Sequence, residues 1–292
     1  DLNIIKELDG NYYFDKNNEI IDIPSSIQDI IMARVDILTK NTKKVLQTGS
    51  VIEREFSYEL IKNVTALQDS VLIDCLSKLK NCELIYERGI QPNSTYFFKH
   101  ALTRDVVYDS IITKRKKKLH EKTGKTIEKL NQQNIHEYYS ILAEHFIRSE
   151  IYEKGANYSK AAAKKFARAG SINDAIVHFK KAILCLESLP HTKDILSQLI
   201  DAKTRLALQF ISLNFHVEAK NTVEPIFDLA LKNQSKNLSR IYIITGSYYA
   251  VVEGNLLKAS EHLKESIFLA EKYNDFVSLN IGRYWIVCVY GF

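Results

Sequence analysis

Residues 166–182 read FARAGSINDAIVHFKKA, and their spacing decides the predicted fold. The large residue Phe166 is followed four positions later by Gly170 and nine positions later by the small residue Ala175. A second aromatic residue, Phe179, continues the helix face that Ala175 begins. A small residue lets two helices approach closely, an aromatic side chain fills the groove between them, and glycine reverses the chain. This stretch therefore predicts two helices that pack as a pair.

The same spacing occurs three more times along the chain. It is found at Phe146, Glu150 and Gly155, at Phe210, Asn214 and Ala219, and at Ala250, Gly254 and Ala259. The small positions are separated by steps of 20, 44 and 40 residues, so the first step predicts a single helix shared by two pairs. Such helix pairs resemble tetratricopeptide repeats. Residues 134–292 are predicted to form a tetratricopeptide-like α-solenoid, truncated at its C-terminus within an apolar helix that lacks its packing partner.

The first half of the chain has a different pattern. Helical spacing is present over residues 2–8, and residues 12–14 with 20–23 predict a small hairpin. After Pro24 a helix is predicted with Ile27, Ile30, Ile31, Val35 and Leu38 on one face, and further helices are predicted from Asn41, over 58–61 and from Leu67. Two short β-rich runs follow at 84–88 and 95–98, and helix resumes from Ala101 to Leu130 with a break near Thr113. Several helices that end in a two-stranded ribbon predict a winged helix, here over residues 23–133.

A family resemblance is carried by residues 98–108, FKHALTRDVVY, together with Lys114-Arg115-Lys116 and Leu119-His120. This segment resembles the winged helix of predicted signal-transduction ATPases with numerous domains, in particular those attached to class III adenylate or guanylate cyclases. Others of the family are attached to kinases or LuxR-type regulators. Residues 23–27, 33–38, 45–46 and 50–56 match the preceding helices of the same family. The resemblance is close over about the first 130 residues and is one of architecture beyond them.

The resemblance implies a mainly α, non-catalytic region of a larger protein. Residues 1–22 would be the tail of a helical ATPase lid with its hairpin, and the winged helix would pack on an upstream ATPase domain of the same chain. The solenoid would bind a protein, peptide or small-molecule inducer, and a nucleotide cyclase would be the output. ATP or ADP with Mg would belong to the parent protein, with no cofactor in this chain. A LuxR-type or other DNA-binding transcription regulator and a stand-alone repeat scaffold are the alternatives.

Six residues are candidates for binding. The resemblance implies that His100, at a strand-to-helix junction, reaches the β-phosphate of a bound nucleotide, and the alternative is a histidine satisfied within the winged helix. Arg104 and Tyr108 lie on nearly the same helix face and serve either an interdomain contact or local packing and ion pairing. The aromatic residues Tyr248, Tyr249 and Trp285 line a binding surface or fill the core between repeats.

Other features exclude whole classes of function. The net charge of +5 is mild, and the run at residues 114–118 is predicted to be a solvated helix face, so nucleic acid binding is not predicted. The P-loop-like tetrapeptide Thr123-Gly124-Lys125-Thr126 lacks the preceding strand and glycine that phosphate binding requires. The four cysteines lack metal-ligand spacing, and no catalytic or metal site is predicted. Because the longest uncharged stretch, residues 241–252, is too short to cross a bilayer and no secretory signal is present, a cytoplasmic protein without membrane contact is predicted.

Overall fold

The computed structural model describes residues 5–8, 11–14, 25–90 and 93–291. It is mainly helical with a small three-stranded sheet, which confirms the predicted fold class in its broad outline. The chain divides into two compact units, Asp1–Thr113 and Lys114–Phe292. This division falls earlier than the predicted limit at Gln133, so the helix that begins at Thr113 belongs with the helices that follow it.

The first unit opens with a hairpin. Strands β1 (Ile5–Leu8) and β2 (Asn11–Phe14) pair antiparallel, with Ile5 opposite Phe14. The predicted helix is therefore wrong for Ile5–Leu8, and the strand at residues 12–14 pairs with β1. Residues 20–23, the predicted partner of that strand, lie outside the described residues. The sequence between the two strands, Asp9-Gly10, is a dipeptide typical of two-residue hairpin turns. This turn signal outweighs a helical spacing that extends over only two turns.

The rest of the first unit contains helices α1 (Ser25–Asp36), α2 (Lys40–Ile52), α3 (Tyr58–Thr65), α4 (Asp69–Asn81) and α5 (Ala101–Asp109), with strands β3 (Glu55–Ser57), β4 (Ile85–Arg88) and β5 (Thr95–Phe98). The sheet is antiparallel in the order β3-β5-β4. The predicted helices and the ribbon β4–β5 are confirmed. Strand β3 was not predicted, because three residues are too few to show an alternating pattern.

The core of the first unit lies between α2, α4 and the sheet. Leu46, Leu72 and Leu76 are buried from the helices, and Tyr96 and Phe98 are buried from β5. The apolar face predicted for α1 is only partly correct. Ile31 and Val35 join the core, and Leu38 packs at its edge, whereas Ile27 and Ile30 are exposed, Ile30 to 62%. Helix α1 thus buries a narrower stripe than its sequence presents.

The second unit is a series of helices packed on their neighbours. These are α6 (Thr113–Leu130), α7 (Tyr139–Arg148), α8 (Tyr152–Arg168), α9 (Ile172–Glu187), α10 (Lys193–Ser212), α11 (His216–Val223), α12 (Phe227–Lys232), α13 (Leu238–Val251), α14 (Leu256–Lys272) and α15 (Phe276–Tyr290). Two 3₁₀ segments, Gln132–Glu137 and Glu224–Ile226, interrupt the series. Helix α8 packs against both α7 and α9, as the 20-residue step predicts. The second interruption contains Pro225, which has no N–H for a helical hydrogen bond.

The turns between paired helices follow the predicted spacing. Glu150, Gly170, Asn214 and Gly254 all have a positive φ, between 61° and 78°. The helices before the first three turns close in the same way, with an amide donating to the carbonyl five residues earlier, as Ser171 does to Phe166 at 3.0 Å. The four small positions, Gly155, Ala175, Ala219 and Ala259, are all buried. The sequence spacing therefore corresponds to a repeated cap and a repeated close helix contact.

Exchanging residues at these turns should change stability with opposite signs. Gly170→Ala is expected to lower the free energy of unfolding by about 1 kcal/mol, because an L side chain is strained at a φ of 78°. The added Cβ would clash with nothing, since no heavy atom lies within 4 Å of it, so backbone strain is the whole penalty. Asn214→Gly, at a φ of 61°, is expected to raise it by about 0.5 kcal/mol. Urea unfolding monitored by circular dichroism measures both. A Gly170→Ala variant as stable as the wild type would contradict the backbone argument.

Candidate functional site

His100 lies between β5 and α5, as the resemblance implies. It is the N-cap residue of α5, with extended backbone angles, and its side chain does not cap the helix. The ring is exposed and forms no hydrogen bond within the described part of the chain. Nearby, a hydrogen bond from Lys99 Nζ holds the pKa of the Glu83 carboxyl below its ordinary value, with a smaller contribution from the charge of His100. An exposed imidazole at a helix N-terminus is suitably placed to meet an anion. Its contact with a nucleotide stays a prediction.

Arg104 ties α5 to the end of α2. Its Nε donates a hydrogen bond to the carbonyl of Ser50 at 3.0 Å, and its guanidinium carbon lies 5.2 Å from the centroid of the Tyr108 ring. Nη1 lies 3.0 Å from a carboxylate oxygen of Asp105, and Nη2 lies 3.9 Å from one of Glu53. These contacts give the pair a role in local packing and ion pairing. A further role of Arg104 and Tyr108 in an interdomain contact stays a prediction.

The aromatic candidates of the second unit belong to one cluster. Tyr248 and Tyr249 lie on α13 and Trp285 lies on α15, and all three pack around buried Ala259 and Leu263. Tyr249 is nearly buried, whereas Tyr248 and Trp285 are half-buried. The three residues thus form core and partly open surface at once. This agrees with both interpretations of the sequence and decides for neither.

Cations and imidazoles surround this aromatic cluster. Lys220 Nζ lies 4.9 Å from the Tyr248 ring centroid, and Lys258 Nζ lies 4.0 Å from that of Tyr249. The ring of His216 packs edge-on against Trp285, at 5.7 Å between centroids. Beside the cluster is an apolar cavity of about 310 Å³, lined by Ala250, Val251, Leu256, Trp285, Cys288 and Val289. The cluster therefore presents aromatic surface with cations above it, an arrangement found in interfaces.

A buried histidine pair lies between α6 and α7. Nδ1 of His120 and Nδ1 of His145 are 2.9 Å apart, and both residues are buried. Burial lowers the pKa of His145 to about 4.

Gly124, of the P-loop-like tetrapeptide, lies inside α6, where a Cβ would stand 3.0 Å from Cζ of Phe146. The tetrapeptide lies within a helical segment, as the sequence predicts, and its glycine accommodates the close approach of an aromatic ring.

The described residues also bear on metal binding, thiol chemistry and membrane crossing. Among them, no three His, Cys, Asp or Glu side chains gather as metal ligands. The four cysteines are free thiols, Cys82 exposed and the others buried or half-buried, and burial raises the pKa of the Cys185 thiol to about 11. None of the described helices is both long and apolar enough to cross a membrane.

The sequence analysis missed a cationic groove in the second unit. It is formed by α10, by the loop between α12 and α13, and by the turn between α14 and α15. Its charged residues come from positions 193 to 275 and are never consecutive, so no local pattern in the sequence marks them. Only the packing of the helices brings them together.

Comparison with known proteins finds solved structures that align with the chain at low sequence identity. No family model and no curated protein matches the chain. A signal transduction ATPase with numerous domains from Pyrococcus horikoshii, which has a tetratricopeptide repeat sensor, aligns with a TM-score of 0.42 and 14% identity. The alignment covers 90% of this chain and 49% of that protein, so the chain spans about half of its length. BtubC from P. vanneervenii aligns with a TM-score of 0.41 and 13% identity, over 64% of this chain and 77% of its own.

Proposed function

We propose that this chain is the non-catalytic regulatory and protein-interaction region of a multidomain signalling ATPase. The observation that carries the proposal is the array of helix pairs in the second unit, with its partly open aromatic cluster and its cationic groove. Arrays of this kind present extended surfaces for partners, because each pair contacts only its neighbours and leaves one side of every helix free. In this proposal the array receives the signal.

The first unit supports the proposal through its order of elements. Strand β3 lies between α2 and α3 in the chain, α4 follows α3, and β4 and β5 come after α4. In the sheet, β5 lies between the other two strands. A helix, a strand, two helices and a two-stranded ribbon form the plan of a winged helix. We assign the first unit to that class. In the proposal the winged helix packs on an ATPase domain upstream in the same chain, and the parent protein binds ATP or ADP with Mg.

The proposed mechanism is a docking equilibrium with two states. In the resting state the exposed imidazole of His100 donates a hydrogen bond to the phosphate of ADP, which holds the winged helix against the nucleotide site. Partner binding on the array favours the undocked state, in which ADP leaves and the output domain, a nucleotide cyclase in this proposal, becomes active. Each ligand shifts the equilibrium only by its difference in affinity for the two states.

The test is made on the full-length protein. His100→Ala is expected to weaken ADP binding about tenfold and to raise basal output, because one charge-assisted hydrogen bond to phosphate is lost. Fluorescence of a labelled ADP measures the affinity. His191→Ala, at another exposed histidine, is the matched control and should leave ADP binding unchanged. Unchanged ADP affinity in His100→Ala would remove the nucleotide contact from the proposal.

A further inference from the structure

The cationic groove begins as a cavity of about 730 Å³ in the second unit. Four cationic side chains line it, Lys193, Arg205, Lys236 and Arg240, against two carboxylates, Asp201 and Asp275, which leaves an excess of two positive charges. The remaining lining is largely polar and includes Asn233, Asn237, Tyr273 and Asn274. A concave site with this lining is suited to an anion with several hydrogen-bonding groups.

The two carboxylates hold the two arginines in place. Nε of Arg205 lies 2.9 Å from each carboxylate oxygen of Asp201, and Nη2 of Arg240 lies 3.0 Å from Oδ2 of Asp275. Burial opposes ionisation of Asp275, but hydrogen bonds from Ser278 and the charge of Arg240 keep the pKa of its carboxyl below the ordinary value. Both carboxylates thus serve to orient guanidinium groups.

Each arginine keeps donors that the described residues do not use. Nη1 and Nη2 of Arg205 and Nη1 of Arg240 donate no hydrogen bond to another described group. A guanidinium fixed on one edge and open on the other binds a carboxylate with little further loss of side-chain freedom. The two arginines are therefore preorganised for an anionic ligand.

The two lysines are not engaged in the fold. Lys193 is the first residue of α10 and Lys236 lies in the loop before α13, and both are exposed. Neither forms an ion pair or hydrogen bond with the residues that the structure describes. They add positive charge to a cavity that is already positive, so their charges do not stabilise the folded chain. Their contribution is to the field that an approaching anion meets.

The groove continues beyond this cavity. A second cavity of about 260 Å³ shares Arg205 and adds Lys164 and Arg168 from α8, without any carboxylate in its lining. Lys160, on the same helix, has its pKa lowered by burial first and then by the charge of Lys164. Together the two cavities carry six cations against two carboxylates. Because the positive lining extends from α8 along α10 to α13, it fits an extended chain better than a compact ion.

We propose that this cationic groove binds an extended acidic segment of a partner protein. Carboxylates of the segment would pair with the open edges of Arg205 and Arg240, and Lys193 and Lys236 would hold the charges next to them. The side-chain amide of Asn237 is available for the peptide backbone, whereas Nδ2 of Asn233 already donates to the carbonyl of Leu229 at 2.8 Å. This inference names the class of partner in the proposed function and rests on that function only for the consequence of binding.

The experiment measures binding of fluorescein-labelled decaglutamate to the 292-residue chain by fluorescence anisotropy. Binding is expected to weaken about tenfold between 50 and 300 mM NaCl, because the groove is open to solvent. Lys193→Glu with Lys236→Glu is expected to weaken it at least about 30-fold, since two attractions become repulsions. Thermal melts should be unchanged, because neither lysine has a partner in the fold. Arg205→Lys, which keeps the charge and removes the fork, is expected to weaken binding about fivefold.

The matched control is Lys114→Glu with Lys118→Glu. Both lysines are exposed on α6, outside the groove, and the change in net charge is the same. This variant should bind within about twofold of the wild type, the residual effect expected of distant screened charges. An equal loss in both double variants, or no binding by the wild type, would overturn the proposal. Competition by tripolyphosphate as strong as that of unlabelled decaglutamate would overturn it too, by assigning the groove to a small anion. The decaglutamate experiment tests only the groove, whereas ADP binding by the His100→Ala variant tests the proposed function. Failure of one proposal is therefore distinguishable from failure of the other.

Discussion

Acidification from pH 6.5 to pH 4 is expected to lower the free energy of unfolding by about 3 kcal/mol through His145 alone. About 2 kcal/mol of this loss should be present at pH 5, before most carboxylates titrate. Unfolding by urea at a series of pH values, monitored by circular dichroism, measures it. Above about pH 7.5 this residue should make almost no contribution to the pH dependence, because the unfolded chain then binds almost no proton there.

The buried histidine pair gives the reason. With 2.9 Å between the two Nδ1 atoms, one ring must donate and the other must accept, so only one of the two Nδ1 atoms can carry a proton in this contact. Burial lowers the pKa of His145 to about 4, and the neighbouring charge of Glu144 opposes this shift without reversing it. Between the two pKa values the unfolded chain binds a proton that the folded chain does not. Acid therefore favours the unfolded state.

Three other histidines act in the same direction. Burial lowers the pKa of His178, His216 and His262, so the total loss should exceed that from His145. His145→Gln should flatten the slope between pH 6.5 and pH 5, whereas His191→Gln, at an exposed position, should leave it unchanged. A stability that stays constant or rises as the pH falls through this window would refute the role given to the pair.

Phe146→Ala is expected to lower the free energy of unfolding by about 4 kcal/mol. The Phe146 side chain is fully buried, its ring stacks on that of Tyr158 at 5.6 Å, and Lys154 Nζ lies 4.8 Å from its centroid. Gly124 on α6 lies close to the tip of the same ring, where an added Cβ would stand 3.0 Å from Cζ. Truncation would therefore leave a cavity between three helices.

A double-mutant cycle tests the contact directly. Gly124→Ala alone should cost about 1 kcal/mol, since the new Cβ would stand 3.0 to 3.3 Å from three atoms of a fully buried ring. Phe146→Leu opens that space, so the double variant should lose about 1 kcal/mol less than the sum of the single variants. Phe179→Leu, in the fully buried core of another pair, serves as the control partner and should be additive with Gly124→Ala. Additivity in both pairs would show that Phe146 does not restrict Gly124.

The helical array was predictable because its signal repeats. Three sets of a large residue, a turn residue and a small residue predicted the turns and the buried positions, and a fourth set with Ala250 in the first position had the same spacing. Each set supported the others. Single short elements gave no such support. Strand β3 has only three residues. Ile5–Leu8 has a spacing that fits a helix, and only its pairing with Asn11–Phe14 makes it a strand. The exposure of Ile30 depends on how much of α1 the core covers, which no local pattern contains.

The candidate site was predictable only where its residues are close in the sequence. His100, Arg104 and Tyr108 lie within one helix and its cap, and a resemblance over 11 residues identified them. His120 and His145 are separated by 25 residues, and the cations of the groove come from α8, α10, the loop before α13 and α13 itself. Sites of this kind arise from tertiary contacts between turns that lie far apart along the chain. A single sequence does not specify which faces meet.

The sharing of α8 between two pairs has a consequence for how the array opens. In a regular solenoid each pair can separate at its boundary with the next, and local unfolding travels one unit at a time. Here α8 contacts α7 through one face and α9 through another, so no boundary exists between the first two pairs. Loss of α8 would remove two interfaces together. The segment from α7 to α10 should therefore behave as one cooperative block, because Leu199 and Ala202 of α10 share a buried core with α8 and α9.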